Sequence, residues 1–206
     1  MAAAIAVAGL GHAQSFIEGF EPGPAAPGVA AVPAGWTSVN NSVGGPGTNP
    51  NWQVRNDGVV FPAFNGATYA FANFNSATGA NDISNYLISP LLTLNNGDTI
   101  SFYTRTIDAP GFADRMELVY NTTGSTLPAD FTNVLLTINP TLTLTGYPTS
   151  WTQFTATITG LAGPTSGRFA FHYNPTNGGP NGLNSDYIGI DDVAYIALGD
   201  VLASNE

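Results

Sequence analysis

Tyr187-Ile188-Gly189-Ile190-Asp191-Asp192-Val193-Ala194-Tyr195-Ile196 decides the fold class. β-branched and aromatic residues fill this stretch, the composition of a strand. Two adjacent aspartates interrupt it, and Asp is disfavoured in strands. Side chains alternate between faces along a strand, so one of the two carboxylates is expected to turn inward or toward a neighbouring segment. A buried carboxylate needs a cation, hydrogen-bond donors or a metal.

Similar stretches lie upstream: Tyr69–Phe74, Tyr86–Leu94, Thr99–Ile107, Arg115–Tyr120, Val134–Ile138, Gln153–Thr159 and Arg168–Tyr173. In Thr99–Tyr103, Ile100 and Phe102 share one face while Ser101 and Tyr103 share the other. Phe169, Phe171 and Tyr173 likewise share a face, which places His172 opposite them. Turn sequences such as Asn95-Asn96-Gly97-Asp98 separate the runs, and no amphipathic helix stands out. Short strands with 24 glycines and 15 prolines between them predict an all-β, jelly-roll-like antiparallel β-sandwich. The 206 residues suit a single domain. Pro22–Ala34 reads as a loop following a first strand.

Composition narrows the function. Charged residues make up 9% against roughly 25% in ordinary globular chains, so Asn, Thr, Ser and Gly must supply the polar surface. The only cations are Arg55, Arg105, Arg115 and Arg168, and the net charge is −10. That balance excludes nucleic acid and anionic lipid as partners, since both recruit basic patches. With no lysine, Schiff-base catalysis and Lys–Asn isopeptide bonds are impossible, and strand edges lack their commonest guard. With no cysteine there are no disulfides and no thiolate sites.

Ala2 to Leu10 is apolar and small, followed by Gly11-His12-Ala13-Gln14. Residues 1–14 are therefore expected to be a leader, read as a signal-peptide remnant or as a donor strand for a neighbour, and 15–206 the sandwich domain. In the donor reading Ala4, Ile5, Val7 and Leu10 carry self-assembly. No later run is long enough to span a bilayer, so no membrane insertion of the mature chain is expected.

Several short motifs occur in order: Phe16-Ile17-Glu18-Gly19-Phe20-Glu21, Val32-Pro33-Ala34-Gly35-Trp36, Trp52, Asn85-Tyr86-Leu87-Ile88-Ser89-Pro90 and Gly97-Asp98-Thr99-Ile100-Ser101-Phe102. Asp114-Arg115-Met116-Glu117-Leu118, Trp151-Thr152-Gln153-Phe154, Gly167-Arg168-Phe169-Ala170-Phe171 and Ile188-Gly189-Ile190-Asp191-Asp192-Val193 complete the series. This pattern resembles the choice-of-anchor J family of secreted bacterial domains, and it is similar to the cleaved-adhesin modules attached to some secreted proteases. The resemblance implies a jelly-roll sandwich, export, and a role at the bacterial cell surface or in its matrix. It does not imply an activity.

Four acids are the candidate metal ligands. If the first and last strands are neighbours, Glu18 and Glu21 approach Asp191 and Asp192, an oxygen-only set suited to calcium. Asp82 and Asp114 are weaker candidates for a second site. The long polar loop Asn174–Asp186 offers Asn177, Asn181, Asn184 and Asp186 as a binding surface for glycan or metal, or forms a solvated turn. Trp36, Trp52 and Trp151 are expected in the core rather than stacked on sugar. Asn40 and Asn121 head glycosylation sequons.

Catalysis is not expected. His172 stands alone on its strand, no Gly-x-Ser-x-Gly elbow is present, and Asp191 and Asp192 are expected to point to opposite faces. The reading is a secreted, non-enzymatic structural or adhesive protein that self-assembles into a fibre or matrix by strand addition. The alternative is a calcium-stabilised carbohydrate-binding module with a surface glycan as partner.

Overall fold

A computed structural model describes residues 15–24, 27–56 and 58–199. The donor candidates Ala4, Ile5, Val7 and Leu10 lie outside the described residues.

Among the described residues thirteen strands follow one another. They are β1 (Phe16–Glu18), β2 (Val29–Ala31), β3 (Thr37–Asn40), β4 (Gln53–Arg55), β5 (Tyr69–Asn73), β6 (Asn85–Ile88) and β7 (Leu92–Leu94), then β8 (Thr99–Thr106), β9 (Met116–Asn121), β10 (Asn133–Ile138), β11 (Thr152–Thr157), β12 (Thr165–Tyr173) and β13 (Tyr187–Ile196). The seven-stranded sheet runs β11-β8-β13-β5-β4-β2, with β1 added to β13. The six-stranded sheet runs β10-β9-β12-β6-β3, with β7 added to β12. Every strand ladder is antiparallel, and the two sheets face each other as a jelly-roll-like sandwich.

The core follows from the alternation. Ile100 and Phe102 of β8, Phe169, Phe171 and Tyr173 of β12, and Ile188, Ile190 and Tyr195 of β13 are fully buried between the sheets. Phe102 and Phe171 meet edge to face at 4.8 Å between centroids, and Trp36 stacks on Phe171 at 6.4 Å. Truncating one such ring to alanine costs about 3–5 kcal/mol. Trp36 and Trp52 sit in this core as expected. Trp151 does not: it packs with Phe61 and Tyr69 on the outer face of the seven-stranded sheet, under residues 58–67.

Three differences from the sequence reading have local causes. The run Tyr86–Leu94 is two strands, β6 and β7, because Pro90 has no N–H for the ladder. Ser89 bridges the gap, donating its N–H to the Phe169 carbonyl and accepting the Phe169 N–H on Oγ. The segment Pro22–Ala34 contains β2, and β3 and β4 are strands the sequence did not announce. All three are three or four residues long, too short to display a period of two.

Asp191 and Asp192 do not face opposite ways. The β13–β8 register shifts between Asp191 and Ala194, and Asp192 adopts a left-handed φ of 44°. This β-bulge cancels the alternation, so both carboxylates reach Asn65.

Register also gathers the loops. Residues 41–52, 74–84, 107–115, 139–151 and 174–186 all emerge at one end of the sandwich, beside the paired ends Asn40–Asn85, Asn73–Tyr187, Thr104–Thr152 and Met116–Tyr173.

Candidate functional site

The loop pole is built rather than loose. Residues 174–186 zip onto 77–83: Ile83 N–H donates to the Pro175 carbonyl at 3.0 Å, Gly178 N–H to Asn81 at 3.1 Å, and Asn181 N–H to Gly79 at 3.0 Å. Asn177 N–H donates to Asp82 Oδ1 at 2.7 Å, which places Asp82 in turn support. Gly179 has φ +77°, and a Cβ there would lie 2.4 Å from the Gly79 carbonyl oxygen. Glycine alone permits this approach.

Beneath the loops lies Asp114, fully buried. Its carboxylate accepts the Tyr173 hydroxyl at 2.6 Å, the Thr106 hydroxyl at 2.7 Å and the Asp186 N–H at 2.8 Å. Burial raises its pKa to about 6, against the lowering effect of these donors. Asp186 turns its own Oδ2 to the Gly111 N–H at 3.1 Å.

Two clefts flank the 108–112 turn. One, of about 430 Å³, is lined by Asp108, Pro110, Leu144, Tyr147, Pro148 and Thr149. The other, of about 160 Å³, is lined by Phe74, Phe112, Gly179, Pro180, Gly182 and Asp186. Phe112 is 45% exposed, an aromatic ring presented to solvent beside a carboxylate. Of the loop residues singled out by sequence, Asp186 lines the smaller of these two clefts. Asn184 donates its amide to the Thr176 carbonyl, Asn177 turns the chain at φ +48°, and Asn181 is exposed. Phe112 was missed. The signal available was an aromatic in Pro110-Gly111-Phe112, a turn with no other use for one.

The four acids expected as metal ligands lie on adjoining segments and are held chiefly by amide donors. β1 pairs β13, with Glu18 opposite Val193. Glu18 Oε1 accepts the Phe20 N–H at 2.6 Å. Glu21 Oε1 accepts the Ala67 and Thr68 N–H groups at 2.5 and 2.7 Å. Asp191 Oδ2 accepts those of Phe64 and Asn65 at 2.9 and 3.1 Å, and its Oδ1 accepts the Asp192 N–H at 2.8 Å. Asp192 lies within 3.4 Å of the Asn65 side-chain amide and beside Gly19. Burial pushes the Asp191 pKa up to about 7, and the charge of Asp192 adds to this. Burial raises Glu21 too, but the amides of Ala67 and Thr68 outweigh it and hold its carboxyl below the usual range. Among the described residues no three acidic or histidine side chains converge on one point as a metal-ligand group.

His172 has partners that the sequence did not reveal. On the outer face of the six-stranded sheet its Nε2 lies 3.0 Å from Ser84 Oγ and its Nδ1 3.4 Å from Glu117 Oε2, with the ring stacked on Tyr86 at 3.9 Å. Burial lowers the His172 pKa, and the hydrogen bond from His172 lowers that of Glu117. Ser84 is no nucleophile elbow: its carbonyl accepts the Asn41 N–H and its N–H donates to Ser42 Oγ, so its backbone is tied to the neighbouring segment. The sequon asparagines are engaged as well. Asn121 is fully buried, and the Asn40 amide donates to the Pro50 and Ser76 carbonyls.

A family model described as the Cleaved Adhesin Domain matches residues 26–161. The K1 cleaved adhesin domain of Lys-gingipain from Porphyromonas gingivalis W83 shares the fold at 23% identity, with a TM-score of 0.62 over 89% of this chain and 98% of that one. The K3 domain of Lys-gingipain from the same organism also has 23% identity, with a TM-score of 0.58 over 88% and 98%. No curated protein matches the chain.

Proposed function

The chain belongs to the cleaved adhesin domain family, and from that premise we propose that it is a secreted, non-catalytic adhesive module that binds a neutral glycan at its loop pole. The observation that carries this reading is the pair of clefts beside the 108–112 turn, where the exposed Phe112 ring and the Asp186 carboxylate converge. An aromatic face beside fixed polar acceptors is the chemistry that stacks a pyranose and orients its hydroxyls. Neutrality follows from the cations, each of which is engaged. Arg55 reaches the Tyr187 hydroxyl, Arg105 pairs with Asp108, Arg115 holds Asn174, and Arg168 donates to Gly124 and Ser89. A glycan array read with Phe112→Ala as control tests it. Binding to neutral glycans that falls at least tenfold in the variant, with unchanged thermal stability, is expected; no binding by the wild type would overturn the reading.

Calcium at Glu18, Glu21, Asp191 and Asp192 is part of the proposal. The donors are all oxygen, which suits calcium in kind. Glu18, Glu21 and Asp191 already accept amide N–H groups, so the ion would have to share them.

The fibre-forming reading remains a second proposal. Its motivation is a low-charge β surface without lysine guards.

A further inference from the structure

From Phe131 to Gly167 the chain contains no Asp, Glu, Lys, Arg or His. This block holds β10, β11, the loop between them, and the connection into the first three residues of β12. β10 is one edge of the six-stranded sheet and β11 one edge of the seven-stranded sheet. Both edge strands on this side of the sandwich are therefore free of charged residues, and Asp108 stands beside the loop that joins them. Two copies, each carrying a net charge of −10, repel when their acidic surfaces approach; an approach along β11 sets two uncharged strands side by side.

The sheet edges are not equivalent, and β1 and β7, added off the main paths, are each three residues long. β2 and β3 are three and four residues long. β10 is interrupted by a register shift between Val134 and Leu136. Short strands and bulges both blunt an edge. β11 has neither. It pairs β8 without interruption from Thr152 to Thr157, holds no proline and no charge, and has no strand on its other side among the described residues. Gln153, Thr155 and Thr157 are exposed along it.

We propose that β11 of one chain pairs antiparallel with β11 of a second copy about a two-fold axis, joining two seven-stranded sheets into one. The contact is isologous and closes on itself, so it yields a dimer; a fibre needs another interface. Antiparallel pairing points the two loop poles in opposite directions. If the loop-pole reading holds, the dimer bridges two glycan surfaces, but the pairing itself does not depend on that reading.

Sedimentation velocity of the full chain at micromolar concentrations tests it, with Thr155→Lys and Thr155→Glu alone and mixed. The wild type should sediment as a dimer. Each charged variant should dimerise at least about tenfold more weakly, because like charges then face each other across the axis. The equimolar mixture should restore the dimer. Unchanged circular dichroism and melting temperatures show that the variants fold. A monomeric wild type, a dimer indifferent to both charges, or a mixture that stays monomeric would each overturn the proposal. A dimer lost only when residues 1–14 are removed would overturn it too, and would place the contact in the leader.

Discussion

Glu21 and Asp191 grip one turn from its two ends. Asp191 Oδ2 accepts the N–H groups of Phe64 and Asn65, and Glu21 Oε1 accepts those of Ala67 and Thr68. Gly66, between them, has φ +65° and lies so close that a Cβ would meet Glu21 Oε1 at 2.6 Å. The turn carries Phe64, stacked on Tyr103 with centroids 3.6 Å apart. Acids that read as metal ligands thus also tie residues 64–68 to β13 and to the segment after β1.

Stability should peak in mild acid. Burial raises the pKa values of Asp114 and Asp191 to about 6 and about 7. The folded chain therefore holds extra protons between the unfolded value near 4 and these values, and stability falls as pH rises through that window. His172 opposes this: its pKa is lowered, so it costs stability as pH drops below its unfolded value. Glu21 and Glu117, both lowered, act the same way at lower pH. Two raised acids against one histidine predict a higher melting temperature near pH 5 than at pH 8. Asp191→Asn should lower stability and shrink that difference; an identical pH profile in the variant would argue against Asp191 as its source.

Calcium and protons should compete at Asp191. A metal takes the carboxylate, so acid weakens its binding. Added calcium should raise the melting temperature more at pH 8 than at pH 5, and Asp191→Asn with Asp192→Asn should remove the response. An equal response in wild type and double variant would exclude these acids as the site.

How legible was this in the sequence? The alternation in Thr99–Tyr103 and Arg168–Tyr173 gave the correct inward faces, because long strands repeat their pattern often enough to be read. The neighbouring of the first and last strands was also legible, and β1 does pair β13. The bulge at Asp192 was not. It depends on one left-handed residue that propensity does not announce, and it reversed the expected direction of a carboxylate. Nor was the partnership of His172, Glu117 and Ser84, which three separate strands and loops assemble across the sheet.

Gly179→Ala should show that the loop pole is preorganised. Its Cβ would strike the Gly79 carbonyl oxygen, at a φ that alanine resists. A loss of more than about 1 kcal/mol is expected by chemical denaturation. Glycan binding should fall with it, because Gly179 lines the smaller cleft. Undiminished binding would mean that the 174–186 loop does not shape the site.

Tyr173→Phe isolates the buried acid beneath that pole. Phenylalanine fills nearly the same volume, so the change removes chiefly the hydroxyl that donates to Asp114 Oδ1 at 2.6 Å. That donor favours the ionised carboxylate, and its loss should raise the Asp114 pKa above its present value of about 6. At pH 8, where Asp114 must stay ionised or take up a proton, the variant should lose about 1–3 kcal/mol of stability. At pH 5 the protonated acid is neutral and needs fewer donors, so the loss should be smaller. Urea titrations of both proteins at the two pH values measure this. Equal losses at both would mean that the hydroxyl contributes packing or a neutral hydrogen bond, and that Asp114 does not ionise in the folded protein.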